Sequence, residues 1–120
     1  MENNVNLFYK NLKSFLKDLI AVFPEDEEIL IITSSINIFS MDDDLNLINK
    51  FYTSLSPLES LINNRDNSFF LMEHSFNKSI LKLFNKLNFC WIQLSETNQK
   101  IVWDYIQIIY NLSKDFNLSK

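Results

Sequence analysis

The sequence predicts an all-α fold, a single compact bundle of five or six helices with short connections, spanning residues 1–120. Three observations carry this expectation. Apolar residues recur every three to four positions through most of the chain, the period of a helix that buries one face. Glycine is absent and proline occurs only at Pro24 and Pro57, so the tight turns of a many-stranded β fold lack their usual residues. No two strand-like segments offer each other a partner.

Val5 to Val22 reads as the first helix. Leu12, Phe15, Leu16, Leu19 and Ile20 keep the helical period, and Lys10, Lys13 and Lys17 form a solvent-facing stripe. Pro24 ends it at or before Phe23. Glu25 to Glu28 then place acids where a helix dipole favours them. The segment Ile29 to Met41 is rich in Ile, Thr and Phe, which also suits a strand. Helix is preferred because a strand here has no partner, and the choice stays open at this point. Asp42, Asp43 and Asp44 read as the cap and first turn of a helix through Leu45, Ile48, Phe51, Tyr52 and Leu55. Ser56-Pro57 starts a short helix with Leu58, Leu61 and Ile62 inward. Asn63 to Asn67 is a polar loop, and Phe69 and Phe70 follow as a short turn that plugs the core. Phe76 to Leu87 is the next helix. Ser95 then caps a helix whose apolar residues Ile101, Val102, Tyr105, Ile108, Ile109 and Leu112 trace one face. Trp103, Ile106 and Tyr110 form a second apolar flank, leaving Asp104, Gln107 and Asn111 for water. The polar tail 113–120 is expected to fray. The stretch from Phe89 to Leu112 holds both tryptophans and the only cysteine, and the rest of the chain is expected to pack around it.

The totals exclude several classes of function. Without glycine there is no phosphate-cradling loop, no dinucleotide-binding fingerprint and no EF-hand calcium loop. The single Cys90 allows no internal disulfide and no thiol cluster for zinc. Between Phe89 and Trp91 it reads as a buried, inert thiol in a reducing, intracellular setting. The opening residues are not those of a signal peptide, and no apolar run is long enough to span a membrane. No cofactor is expected. The only histidine, His74, lacks an evident nucleophile or ligand companion and reads as a surface or capping residue. An enzyme is therefore disfavoured; one built on His74 and Glu73 is the remote option.

Two binding readings remain. Net charge is −4, concentrated in the acidic middle of the chain, which argues against wrapping nucleic acid with the whole surface. The first reading is a protein–protein interaction module, binding another protein or itself as a homodimer. Its candidate anchors are Trp91, Trp103, Tyr110, Phe69 and Phe70, since aromatic residues dominate such contacts. The second is an accessory nucleic-acid-binding protein using the stripe Lys78, Lys82 and Lys86. That stripe equally suits a solvated face, or one turned toward the chain's own acids.

Several pieces resemble a family of small uncharacterised proteins of large cytoplasmic DNA viruses of the mimivirus and phycodnavirus type. They are Phe15-Leu16-Lys17-Asp18-Leu19 with Phe23-Pro24, and Arg65-Asp66-Asn67-Ser68-Phe69-Phe70. The closest are Trp91 with Leu94-Ser95, then Val102-Trp103-Asp104-Tyr105-Ile106-Gln107. The resemblance implies an infected eukaryotic host cell or a virion as the setting. The role it implies is that of a structural or accessory protein, or a modulator of a host protein. It brings no catalytic or ligand residues.

Overall fold

Each helix begins or ends where the chemistry of its terminal residues requires. The computed structural model describes residues 4–41 and 45–119. In chain order these form α1 (Asn4–Val22), α2 (Glu27–Met41), α3 (Leu45–Leu55), α4 (Glu59–Asn63), α5 (Lys78–Cys90) and α6 (Glu96–Leu118). Short 3-10 turns occupy Ser56–Leu58, Asn67–Leu71 and Trp91–Gln93. No strand occurs among the described residues, so the all-α expectation holds, and Ile29 to Met41 lies in helix. In that helix the hydroxyls of Thr33 and Ser35 donate to the carbonyls of Ile29 and Ile31, at 2.8 and 3.1 Å, which lets these residues sit in a helix interior. Asp42, Asp43 and Asp44, expected to cap α3, lie outside the described residues.

Asp26 accepts from the Ile29 amide at 3.2 Å, Asn77 from Ser79 at 2.9 Å and Ser95 from Asn98 at 3.1 Å. Each satisfies an amide that the first turn leaves without an intrahelical acceptor. The end of α4 shows what a chain without glycine must do. The Asp66 amide donates to the Leu61 carbonyl at 2.9 Å and the Arg65 amide to Ile62 at 3.2 Å, a Schellman closure that places Arg65 at φ 49°. Glycine is the usual occupant of that conformation. Arg65 offsets the backbone cost through its side chain: Nη2 donates to Asp104 and, at 2.7 Å, to Gln107 Oε1.

α6 runs through the middle, packed along α1 on one side and α3 on another, with α4 across it. α2 packs on α1 and α5. One apolar cluster draws on all six helices and the 3-10 turns. The radius of gyration, 13.6 Å, is what a compact folded chain of this length should have.

The inward face of α6 differs from the expected one. Val102, Trp103, Ile106, Ile109, Tyr110 and Ser113 are buried, whereas Ile101 and Ile108 are exposed. The helix is rotated so that its bulkiest rings face the core, where they bury the most area. Gln107 is not left for water either; its Nε2 donates to the Ile62 carbonyl at 3.0 Å. The tail does not fray after Leu112: α6 continues to Leu118. Lys114 Nζ, at 2.6 Å from Glu59 Oε1, ties that last part to α4, and the Ser113 hydroxyl is buried against the Tyr110 carbonyl at 2.7 Å.

Several distant segments meet on α6. Arg65 reaches Asp104 and Gln107. Trp103 Nε1 donates to Asn67 Oδ1 at 3.0 Å. The Tyr105 hydroxyl donates to Asp18 at 2.7 Å, and its ring stacks on Phe15 at 5.1 Å. Phe70 stacks on Trp91 at 3.7 Å. These contacts hold α1, the Asn67–Leu71 turn and the Trp91–Gln93 turn onto α6. Phe70→Ala empties the centre of that arrangement, and urea unfolding should show a loss of about 3–5 kcal/mol. A loss under about 1 kcal/mol would mean that the site collapses freely.

Candidate functional site

All five aromatic residues expected to anchor a partner are core residues. Phe69, Phe70, Trp91, Trp103 and Tyr110 are each at most 4% exposed. Phe70 lies flat on Trp91 and edge-on to Trp103 at 5.0 Å, while Phe69 contacts Trp103 at 5.7 Å and Phe84 at 5.9 Å. Tyr110 stacks on Tyr52 at 6.3 Å and donates its hydroxyl to Glu59 at 2.8 Å. These rings hold the bundle together and present nothing to a partner. They assemble in the core because the polar atoms of Trp103 and Tyr110 find acceptors there, which removes the cost of burying them.

The lysine stripe is not a uniform basic edge. Lys78 and Lys82 are exposed, and neither has an ion-pair partner among the described residues. Lys86 is held at 2.6 Å by Asp26, with Glu28 at 3.9 Å. The Asp26 hydrogen bond raises the Lys86 pKa, and the same bond holds the Asp26 carboxyl below its ordinary value. The third lysine therefore faces the chain's own acids, across the seam between α2 and α5.

That seam is an extended concave surface. Three concavities of about 250, 270 and 230 Å³ follow one another along it and share lining residues. Ile31, Ile32, Ile36 and Leu83 form its apolar floor. Glu28 and Phe89 stand at one end, Lys78 at the other, and Lys82 between them. The apolar surface is open to solvent: Ile31, which lines the groove, is 59% exposed, and Ile38, further along α2, is 63% exposed. α2 is apolar on nearly every side, the pattern of a helix meant to be covered. That pattern was legible in Ile29 to Met41, but it is also what made the segment resemble a strand. Leu71, Met72, Phe89 and Ile92 are also exposed, and Asn88 Nδ2 donates to the Met72 carbonyl at 2.9 Å.

Elsewhere, a concavity of about 320 Å³ lies between α1 and α6, lined by Phe15, Leu19, Val22 and Val102 with Asp18 and Asn98 at its edge. Burial and the bond to Asp18 push the Tyr105 hydroxyl beside it up to about 12. Cys90 is buried and its thiol pKa is raised by that burial, which suits packing and not nucleophilic attack. Among the described residues no three His, Cys, Asp or Glu side chains gather as a metal site.

His74 is not a surface or capping residue. It is 9% exposed, stacked on Phe76 at 4.3 Å and close to Phe69 at 4.7 Å. Neither ring nitrogen has a hydrogen-bond partner, and neither does the neighbouring buried Asn88 Oδ1. His74 and Asn88 both line a concavity of about 390 Å³, with Met72, Glu73 and Asn85.

No family model, no curated protein and no solved structure matches this chain.

Loss of water lowers the His74 pKa below 6.5, and nearby polar groups oppose this only in part. The sign follows: below pH 6.5 the unfolded chain takes up a proton that the folded chain resists. Stability should therefore fall as pH drops from about 6.5 toward the depressed folded value, ahead of the carboxylates, which act nearer pH 4. Thermal melts across about pH 7.5 to 5 should show this slope in the wild type and a flatter one in His74→Phe. Equal slopes in the two proteins would assign it elsewhere.

Proposed function

We propose that this protein is a non-catalytic interaction module that receives a helical segment of another polypeptide in the groove between α2 and α5. The observation that supports this most is the stripe of large apolar side chains on α2, Ile31 and Ile38 above all, left open to solvent beside an apolar groove. Leaving such a stripe uncovered wastes apolar burial that a helix could supply. α2 offers about four turns, the length over which amphipathic helices lie in grooves. The viral resemblance adds a setting: such a module serves as a structural or accessory protein, or as a modulator of a host protein in the infected cell.

The nucleic-acid reading has less support. Of its three lysines only Lys78 and Lys82 are unpaired, and Glu28 lies in the same groove. A strand of phosphates would meet that carboxylate as well as the two cations.

A photo-crosslinking amino acid at position 35 tests the proposal, because Ser35 lines the groove and is exposed. In cells that produce the protein, position 35 should yield discrete polypeptide adducts on illumination. The same residue at exposed position 14 of α1 should not. No adduct at 35, or the same adducts at both positions, overturns the reading.

A further inference from the structure

The groove has a direction written in charge. α2 and α5 run antiparallel along it: Glu28 and Asp26 of the α2 start face Lys86 near the α5 end, while Ile36 lines the groove with Lys78 at the α5 start. One end is therefore acidic on balance: Glu28 and Lys86 share its wall, Asp26 also holds the Lys86 charge, and exposed Glu25 and Glu27 neighbour Glu28 in sequence. The other end carries Lys78, and Lys82 stands midway along the groove, where it shares a concavity with Glu28; both lysines are exposed and without ion-pair partners among the described residues.

Resting on the reading of this groove as a helix-binding site, we infer that its occupant is an amphipathic helix of another protein, acidic in its first turns and basic in its last. It enters with its acidic N-terminus against Lys78 and Lys82 and its basic C-terminus against Glu28. That charge order is also the one a helix dipole stabilises in the partner itself. The occupant so runs parallel to α5 and antiparallel to α2. Charge excludes a second copy of α2 from this role. α2 starts with Glu27 and Glu28, has no basic residue in its last turn, and is followed in sequence by Asp42, Asp43 and Asp44. It has no cation in its last turn to set against Glu28. α1 has neither an acid in its first turn nor a base in its last, and α5 begins with Lys78.

The test uses the full chain and two labelled synthetic helices of about 18 residues. Both carry leucine at helical spacing; one has Glu in its first third and Lys in its last, and the other has the reverse order. Fluorescence anisotropy should show the first binding about tenfold tighter or better, a gap that narrows with added salt. In the variant Glu28→Lys with Lys78→Glu and Lys82→Glu the preference should invert. Ile31→Asn with Ile38→Asn, both on exposed positions, should weaken binding of either helix while circular dichroism stays unchanged. Equal affinity for the two helices, binding of neither, or a preference that survives the charge swap overturns the inference. So does a dimer in light scattering that Ile31→Asn with Ile38→Asn dissolves, since a second copy is then the occupant. If position 35 still crosslinks a foreign polypeptide when the charge test fails, the interaction module stands and only the partner's charge order is lost.

Discussion

The stack of Phe70 on Trp91, closed on its other side by Trp103, is the contact on which the rest of this fold depends. It joins three parts of the chain that share no local structure: the Asn67–Leu71 turn, the Trp91–Gln93 turn that follows α5, and α6. Flat rings at 3.7 Å exclude water completely, and their burial outweighs the modest value of any one polar contact nearby. The polar contacts supply register. Asn67 fixes the Trp103 indole, and Arg65 fixes Asp104 and Gln107.

This arrangement explains why the open surface lies where it does. α6 is enclosed by α1, α3 and α4, and the large rings of the chain are taken up around it. α2 packs chiefly on α1 and α5. Ile29, Ile32 and Ile36 satisfy that side, leaving the opposite side of an apolar helix facing outward. The ion pair of Lys86 with Asp26 pins the α2 start to the α5 end, so the groove between them is a fixed feature of the bundle. Both partners stay charged across the ordinary pH range, since the bond raises one pKa and lowers the other.

Local features were legible in the sequence, and distant pairings were not. The helical period located α1, α3, α5 and α6, and the caps at Ser95 and Asp26 sit where short polar residues precede apolar periods. Pro24 does end α1. What periodicity leaves open is which of two apolar flanks faces in. On α6 the spacing of Ile101, Tyr105 and Ile108 was as regular as that of Trp103, Ile106 and Tyr110. Three-dimensional demand for bulk decided between them. For the same reason His74 and the supposed aromatic anchors turned out to be core, because hydrophobicity along a chain does not distinguish a docking ring from a packed one. The open surface on α2 is aliphatic, formed by Leu30, Ile31 and Ile38, and the exposed ring at the groove's end, Phe89, was not among the expected anchors. The lysine stripe was readable as a stripe, but its division between Asp26 and solvent depends on a residue sixty positions away.

Native-state amide hydrogen exchange at Phe69 measures the central claim most directly. That amide donates to the Asp66 carbonyl at 3.0 Å inside the turn and is released only if the turn lifts off Trp91 and Trp103. If the ring stack organises the bundle, the Phe69 amide opens with the free energy of the α6 amides around Ile106, that of global unfolding. Exchange at Phe69 through a much cheaper local opening, with α6 still protected, would show that the bundle stands without the stack.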